Sequence, residues 1–147
     1  MRYLGLDFGT KTVGVAISDL TGTIASTYKT IFYNGDEVLL FKELSLIIDE
    51  FKIKTIVLGL PKNMNNSIGE RGELTLHFKE DLEKKFGVDV IMVDERLTTK
   101  EATTYMLEAD LSRKKRKQKV DSLAANIILQ TYLDKKGNNY EWWKNNF

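Results

Sequence analysis

Apolar and polar positions divide the chain into short β-type runs followed by segments of helical period. Tyr3 to Phe8, Thr12 to Ser18 and Thr23 to Ile31 are rich in apolar and β-branched residues, and Gly9 and the Thr21-Gly22 pair break them apart. Three such runs in close succession predict an antiparallel meander. From Asp36 to Phe51 the apolar residues Leu40, Leu44, Ile47 and Phe51 follow helical spacing, so an amphipathic helix starts behind Asn34-Gly35. "TIVLGL" (Thr55 to Leu60) reads as a buried strand stopped by Gly59 and Pro61. The spacing then predicts a helix over 69–86 ended by Gly87, a strand from Val88 to Val93, a helix from Thr98 to Leu107 and a last helix from Val120 to Lys135 before Gly137. This order implies a five-stranded mixed α/β sheet flanked by helices, with the late strands parallel and central.

Against that skeleton one residue is out of place. Asp7 interrupts the apolar run Leu4, Leu6, Phe8, where a strand covered on both faces should carry no charge. Asp94 and Glu95 stand where the fifth strand gives out, and Asp121 opens the last helix. Parallel strands of an open α/β sheet deliver their carboxyl ends to one edge, which is where such folds bind ligands. Three acids could meet there. Clustered carboxylates repel one another unless a cation neutralises them, and hard oxygen donors select Mg²⁺ or Mn²⁺. Each residue alone has a plainer reading: a turn cap for Asp7, a surface ion pair for Asp94-Glu95-Arg96, a dipole-favoured carboxylate for Asp121. Only their combination points to a metal site, and spacing does not choose between Asp94 and Glu95.

Composition narrows the classes. The chain has 147 residues, 42% of them hydrophobic, enough for one domain over 1–147 with 138–147 as a C-terminal tail. It contains no cysteine, which excludes disulfides and thiolate metal sites. No apolar stretch approaches the roughly 20 residues of a membrane span, and no signal peptide opens the chain, so a cytoplasmic location away from membranes is the default expectation. The net charge is only +1, but Arg113, Lys114, Lys115, Arg116, Lys117 and Lys119 set a local positive potential that suits a polyanion. The single histidine, His77, reads as an incidental residue on the 69–86 helix.

Four ordered segments carry a resemblance: "LGLDFGTKTVGVAISD", "GLPKNMNNS", "DERLTTKEA" and "KVDSLAANIILQTYL". Together they resemble the signature segments of the YqgF family, the Holliday-junction-resolvase-like bacterial proteins described as pre-16S rRNA nucleases, over nearly the whole chain. The resemblance implies a ribonuclease H-like fold and a divalent-metal-dependent hydrolase acting on phosphodiester esters. It implies Asp7, Glu95 and Asp121 as catalytic and metal-ligating acids, and the nuclease reading takes two Mg²⁺ or Mn²⁺ ions. Lys11, Asn63, Ser67 and Arg96 are then candidates for positioning phosphates, with the 113–119 run adding salt-dependent affinity for nucleic acid. Many related nucleases place an acid on the fourth strand. "TIVLGLP" has none, so the fifth-strand motif must substitute for it.

Two other readings compete. The opening "DFGTKTVGVA" also resembles the phosphate-binding segment of the actin, sugar-kinase and Hsp70 group, but a nucleotide clamp needs a second homologous half, and no second Asp-x-Gly-Thr segment occurs. A non-catalytic RNA-binding module would use the basic run and Trp142-Trp143 as a stacking platform. Within the nuclease reading, processing of the 5′ end of pre-16S rRNA is preferred to resolution of four-way DNA junctions.

Overall fold

The computed structural model describes residues 1–61, 68–95 and 123–137. Five strands form one sheet: β1 (Tyr3–Phe8), β2 (Thr12–Ser18), β3 (Ala25–Phe32), β4 (Thr55–Leu60) and β5 (Asp89–Asp94). The order is β3-β2-β1-β4-β5. β1, β2 and β3 are antiparallel neighbours, whereas β4 and β5 run parallel to β1, so the sheet is mixed as expected. β4 lies inside the sheet, but β5 ends it, which corrects the expectation that both late strands are central. Apolar content could not reveal this, because α2 and the 123–137 helix shield Val90 and Val93 from opposite faces even at the end of the sheet.

Helices cover both faces. α1 (Glu37–Phe51) and α2 (Glu70–Phe86) pack on one side, where Leu4, Leu6, Val13, Val15, Ile56 and Leu58 meet Leu40, Leu44, Phe78 and Leu82. The helix over 123–137 packs on the other side, against Tyr3, Ala16, Val57 and Val93. Because strand side chains alternate between faces, even positions of β1 serve the first core and odd positions the second. Asp7 therefore belongs to the face of the 123–137 helix. That helix sits close to the sheet: a Cβ on Gly5 would stand 2.6 Å from Leu129 Cβ and 3.0 Å from the Ala125 carbonyl oxygen.

Local chemistry sets the boundaries. Asp36 caps α1 by accepting from Leu39 N, and Lys52 closes it in the left-handed region at φ 53°. Gly87, at φ 64°, ends α2 as expected. β3 begins at Ala25 rather than Thr23, because the Asp19 carboxylate accepts the Thr23 and Ile24 amides at 2.8 and 3.0 Å and holds both in the preceding turn. β5 runs one residue later than the sequence suggests, ending at Asp94, whose register partner is Leu60. The expected helix from Thr98 to Leu107, the Val120 start of the last helix and the 138–147 tail lie outside the described residues. Among the described residues, no helix is long and apolar enough to cross a membrane.

Candidate active site

β1, β4 and β5 are parallel, so their carboxyl ends share one edge of the sheet. Asp7 is the penultimate residue of β1, and Glu95 immediately follows β5. β4 lies between these two strands, yet the acids touch: the Asp7 and Glu95 carboxyls are hydrogen-bonded to one another. Gly59 makes the contact possible. A Cβ there would stand 2.9 Å from Glu95 Oε1 and 3.1 Å from its Cγ, so the Glu95 side chain crosses β4 over the one position that has no side chain. This crossing supplies what "TIVLGLP" lacks, an acid brought to the middle of the sheet from its neighbour.

Alternation also separates the two acids at the end of β5. Val93 faces the 123–137 helix, while Val90 and Met92 face α1 and α2, and Asp94 falls on the latter side. Glu95 is the one that reaches Asp7.

The pair is electrostatically unfavourable as it stands. Burial first, and then the Asp7 charge and hydrogen bond, push the Glu95 carboxyl up to about 7, while the nearby Arg71 guanidinium acts in the opposite sense. Two carboxyls this close favour holding a proton between them, a bias that a bound cation would relieve. All their donors are hard oxygens, so the pair fits Mg²⁺ or Mn²⁺ rather than a softer ion. Among the described residues no cluster of three or more acids or histidines forms. The third acid inferred from sequence, Asp121, lies outside the described residues.

The turn beside Asp7 is firmly held. Gly9 N donates to the Thr12 carbonyl at 2.9 Å, the Tyr33 hydroxyl donates to the Gly9 carbonyl, and Tyr33 N donates to the Lys11 carbonyl at 3.1 Å. Phe8 stacks on Phe78 with ring centroids 4.2 Å apart, which anchors the end of β1 to α2. Lys11 is exposed on this turn, at the same edge as the acids. Asn63, Ser67, Arg96, Arg113, Lys114, Lys115, Arg116, Lys117, Lys119, Trp142 and Trp143 lie outside the described residues. His77 is exposed on α2, consistent with an incidental role.

Sequence reasoning missed Gly59 and Arg71. Arg71 lies in the first turn of α2, and its Nη2 donates to the Phe8 carbonyl at 3.3 Å. The available signal was topological, since a helix following a parallel strand begins at the carboxyl edge of the sheet.

The family model described as RuvX, Holliday junction resolvase, matches residues 1–135. The chain belongs to this family. A relative from Thermoanaerobacter pseudethanolicus named "Putative pre-16S rRNA nuclease" is 48% identical over 139 residues, spanning 94% of this chain and 99% of that protein. A relative of the same name from Bacillus cytotoxicus is 50% identical over 137 residues, spanning 92% of this chain and all of that protein. Among solved structures, Thermus thermophilus RuvC in complex with a Holliday junction substrate is similar at a TM-score of 0.62 and 13% identity, covering 92% of this chain and 95% of that one. The fowlpox virus resolvase with its junction DNA gives a TM-score of 0.58 at 13% identity, covering 92% and 98%. At such identities the likeness concerns the fold, and the ribonuclease H-like architecture expected of the RuvX chain is the one observed.

Proposed function

We propose that this RuvX family member is a divalent-metal-dependent nuclease that hydrolyses phosphodiester bonds and processes the 5′ end of pre-16S rRNA. The observation that carries the reading is the Asp7–Glu95 contact across Gly59, at the edge where three parallel strands end. Relatives near 50% identity over almost their whole length bear the rRNA nuclease name, which supports RNA as the substrate. Asp7 and Glu95 would hold Mg²⁺ or Mn²⁺, with Asp121 as the third acid. When bound, such ions lower the pKa of a coordinated water and stabilise the charge on the leaving oxygen.

The chain's own residues prepare that chemistry. Asp7 and Glu95 converge across Gly59, and the packed core beneath β1 and β4 limits their drift. Lys11 supplies a cation on the pinned turn, and Asn63, Ser67, Arg96 and the 113–119 run are assigned to backbone phosphates. A cytoplasmic location accords with this role.

Resolution of four-way DNA junctions is the second reading, favoured by the family model's own description. Both are tested by incubating the protein with labelled precursor rRNA and with a synthetic junction, in Mg²⁺, Mn²⁺ or EDTA. Metal-dependent cleavage near the 5′ end of the 16S sequence, with the junction left intact, is the expected result. Cleavage of the junction alone would replace the rRNA assignment, and binding without cleavage of either would leave an RNA-binding module.

A further inference from the structure

The first turn of α2 is drawn tightly onto the end of β4. A Cβ on Gly72 would lie 2.9 Å from the Pro61 carbonyl oxygen and 2.4 Å from Ile68 Cγ2, so only glycine allows the approach. The residue before it, Arg71, is thereby presented at the sheet edge, exposed, with Nη2 bonded to the last carbonyl of the strand that carries Asp7. Arg71 also borders a small, mainly apolar depression with Phe8, Gly9, Thr10, Leu74 and Thr75 on the α2 side of the sheet.

A structural role would make Arg71 a counter-ion for the half-buried Glu95 and nothing more, but Arg71 itself is exposed, and a pair with one solvated partner contributes little to stability. The surroundings suit a different use. A guanidinium offers five donors in a planar fork that matches two phosphate oxygens, and a bond from one end of the fork to a carbonyl orients the rest of the plane. Two carboxyls repel a polyanion, so a phosphate reaches them only if a fixed cation beside them offsets that repulsion. From this geometry we infer that Arg71 is a phosphate-binding residue, its exposed and carbonyl-anchored guanidinium seating a backbone phosphate of the nucleic-acid substrate at the sheet edge where Asp7 and Glu95 meet. The inference rests on the nuclease reading and adds to it the group that docks the strand at the acidic edge.

The test uses full-length wild type, Arg71→Ala and Arg71→Lys, with binding of labelled RNA measured in Ca²⁺ across a salt series and cleavage measured separately in Mg²⁺. Arg71→Ala should weaken binding roughly tenfold for all sequences, as loss of a charged hydrogen bond predicts. It should also lower the log-log salt slope by about 0.7, one phosphate contact on a single strand. Arg71→Lys should recover the slope but not the cleavage rate, because a point charge lacks the fork. If wild type binds and cleaves RNA while Arg71→Ala keeps its affinity and slope, the inference fails and the nuclease reading stands. If wild type neither binds nor cleaves any nucleic acid, the nuclease reading fails and takes this inference with it. Melting curves of both variants separate these outcomes from misfolding, and a folded Arg71→Lys with wild-type cleavage would also overturn the proposal.

Discussion

Glu95 reaches Asp7 only because Gly59 stands between them. Its Oε1 lies where a Gly59 side chain would begin, 2.9 Å from the position of a Cβ, and Ile128 Cδ1 closes the same space from the helix side at 2.5 Å. Gly59→Ala should therefore displace both the acid and the helix. The expected cost is about 1–3 kcal/mol of stability from overpacking. Cleavage should fall much further, on the order of a hundredfold, since displacements near 1 Å cost that much when catalytic groups are misplaced. Urea unfolding and single-turnover cleavage on the same preparation check the two effects.

Asp7 is expected to govern metal binding. An ion that binds only the folded state stabilises it by linkage, by about 2.7 kcal/mol at a hundred times its dissociation constant. Mn²⁺ should accordingly raise the melting temperature of wild type and leave Asp7→Ala unmoved. Equal shifts in the two proteins would remove Asp7 from the site. Asp7→Asn should abolish cleavage yet leave the metal-free fold as stable as wild type or more so, because it relieves the repulsion with Glu95.

The pH dependence follows from Glu95. Its carboxyl is raised from an ordinary 4.5 to about 7 by burial and by Asp7, so between those values the folded protein holds a proton that the unfolded chain has released. The stabilisation is complete below pH 4.5 and is lost as pH rises through 7. In EDTA the loss should be on the order of 1–2 kcal/mol, after allowing for solvent screening at a partly exposed edge. Unfolding at pH 5 and pH 8 measures it, and Glu95→Gln should flatten the profile.

On the proposed function, the 113–119 run is expected to supply non-specific affinity for nucleic acid. Replacing Lys114, Lys115 and Arg116 with Ala should weaken binding alike for all RNA sequences and lower the salt slope by about 2 to 3. An unchanged slope between low and moderate salt would remove these residues from the interface.

Much of this architecture is legible in the sequence because its signals are local. The β1–β2–β3 meander, the Asp36 cap of α1 and the Gly87 stop of α2 each depend on residues a few positions apart. What escaped depends on distant pairing. The place of β5 at the end of the sheet is decided by its register on β4, some 34 residues earlier (Thr55 pairs with Asp89). The family resemblance already prefers Glu95 to Asp94, but the physical reason, which face of that strand meets the 123–137 helix, appears only in the fold. Arg71 joins the site through the Phe8 carbonyl, 63 positions away, a contact that no periodicity announces.

The Gln130 side chain accepts from Ala25 N and donates to the Thr23 carbonyl, 105 and 107 positions away along the chain. Contacts so remote slow folding, because the long loop between them must close before they can form. During synthesis, the face that bears Asp7, Gly5 and Gly59 cannot be covered until the segment over 123–137 has left the ribosome. A nascent chain shorter than that leaves the apolar side chains of Tyr3, Ala16, Val57 and Val93 without their cover. The order of translation thereby delays assembly of this edge until the segment over 123–137 has been made.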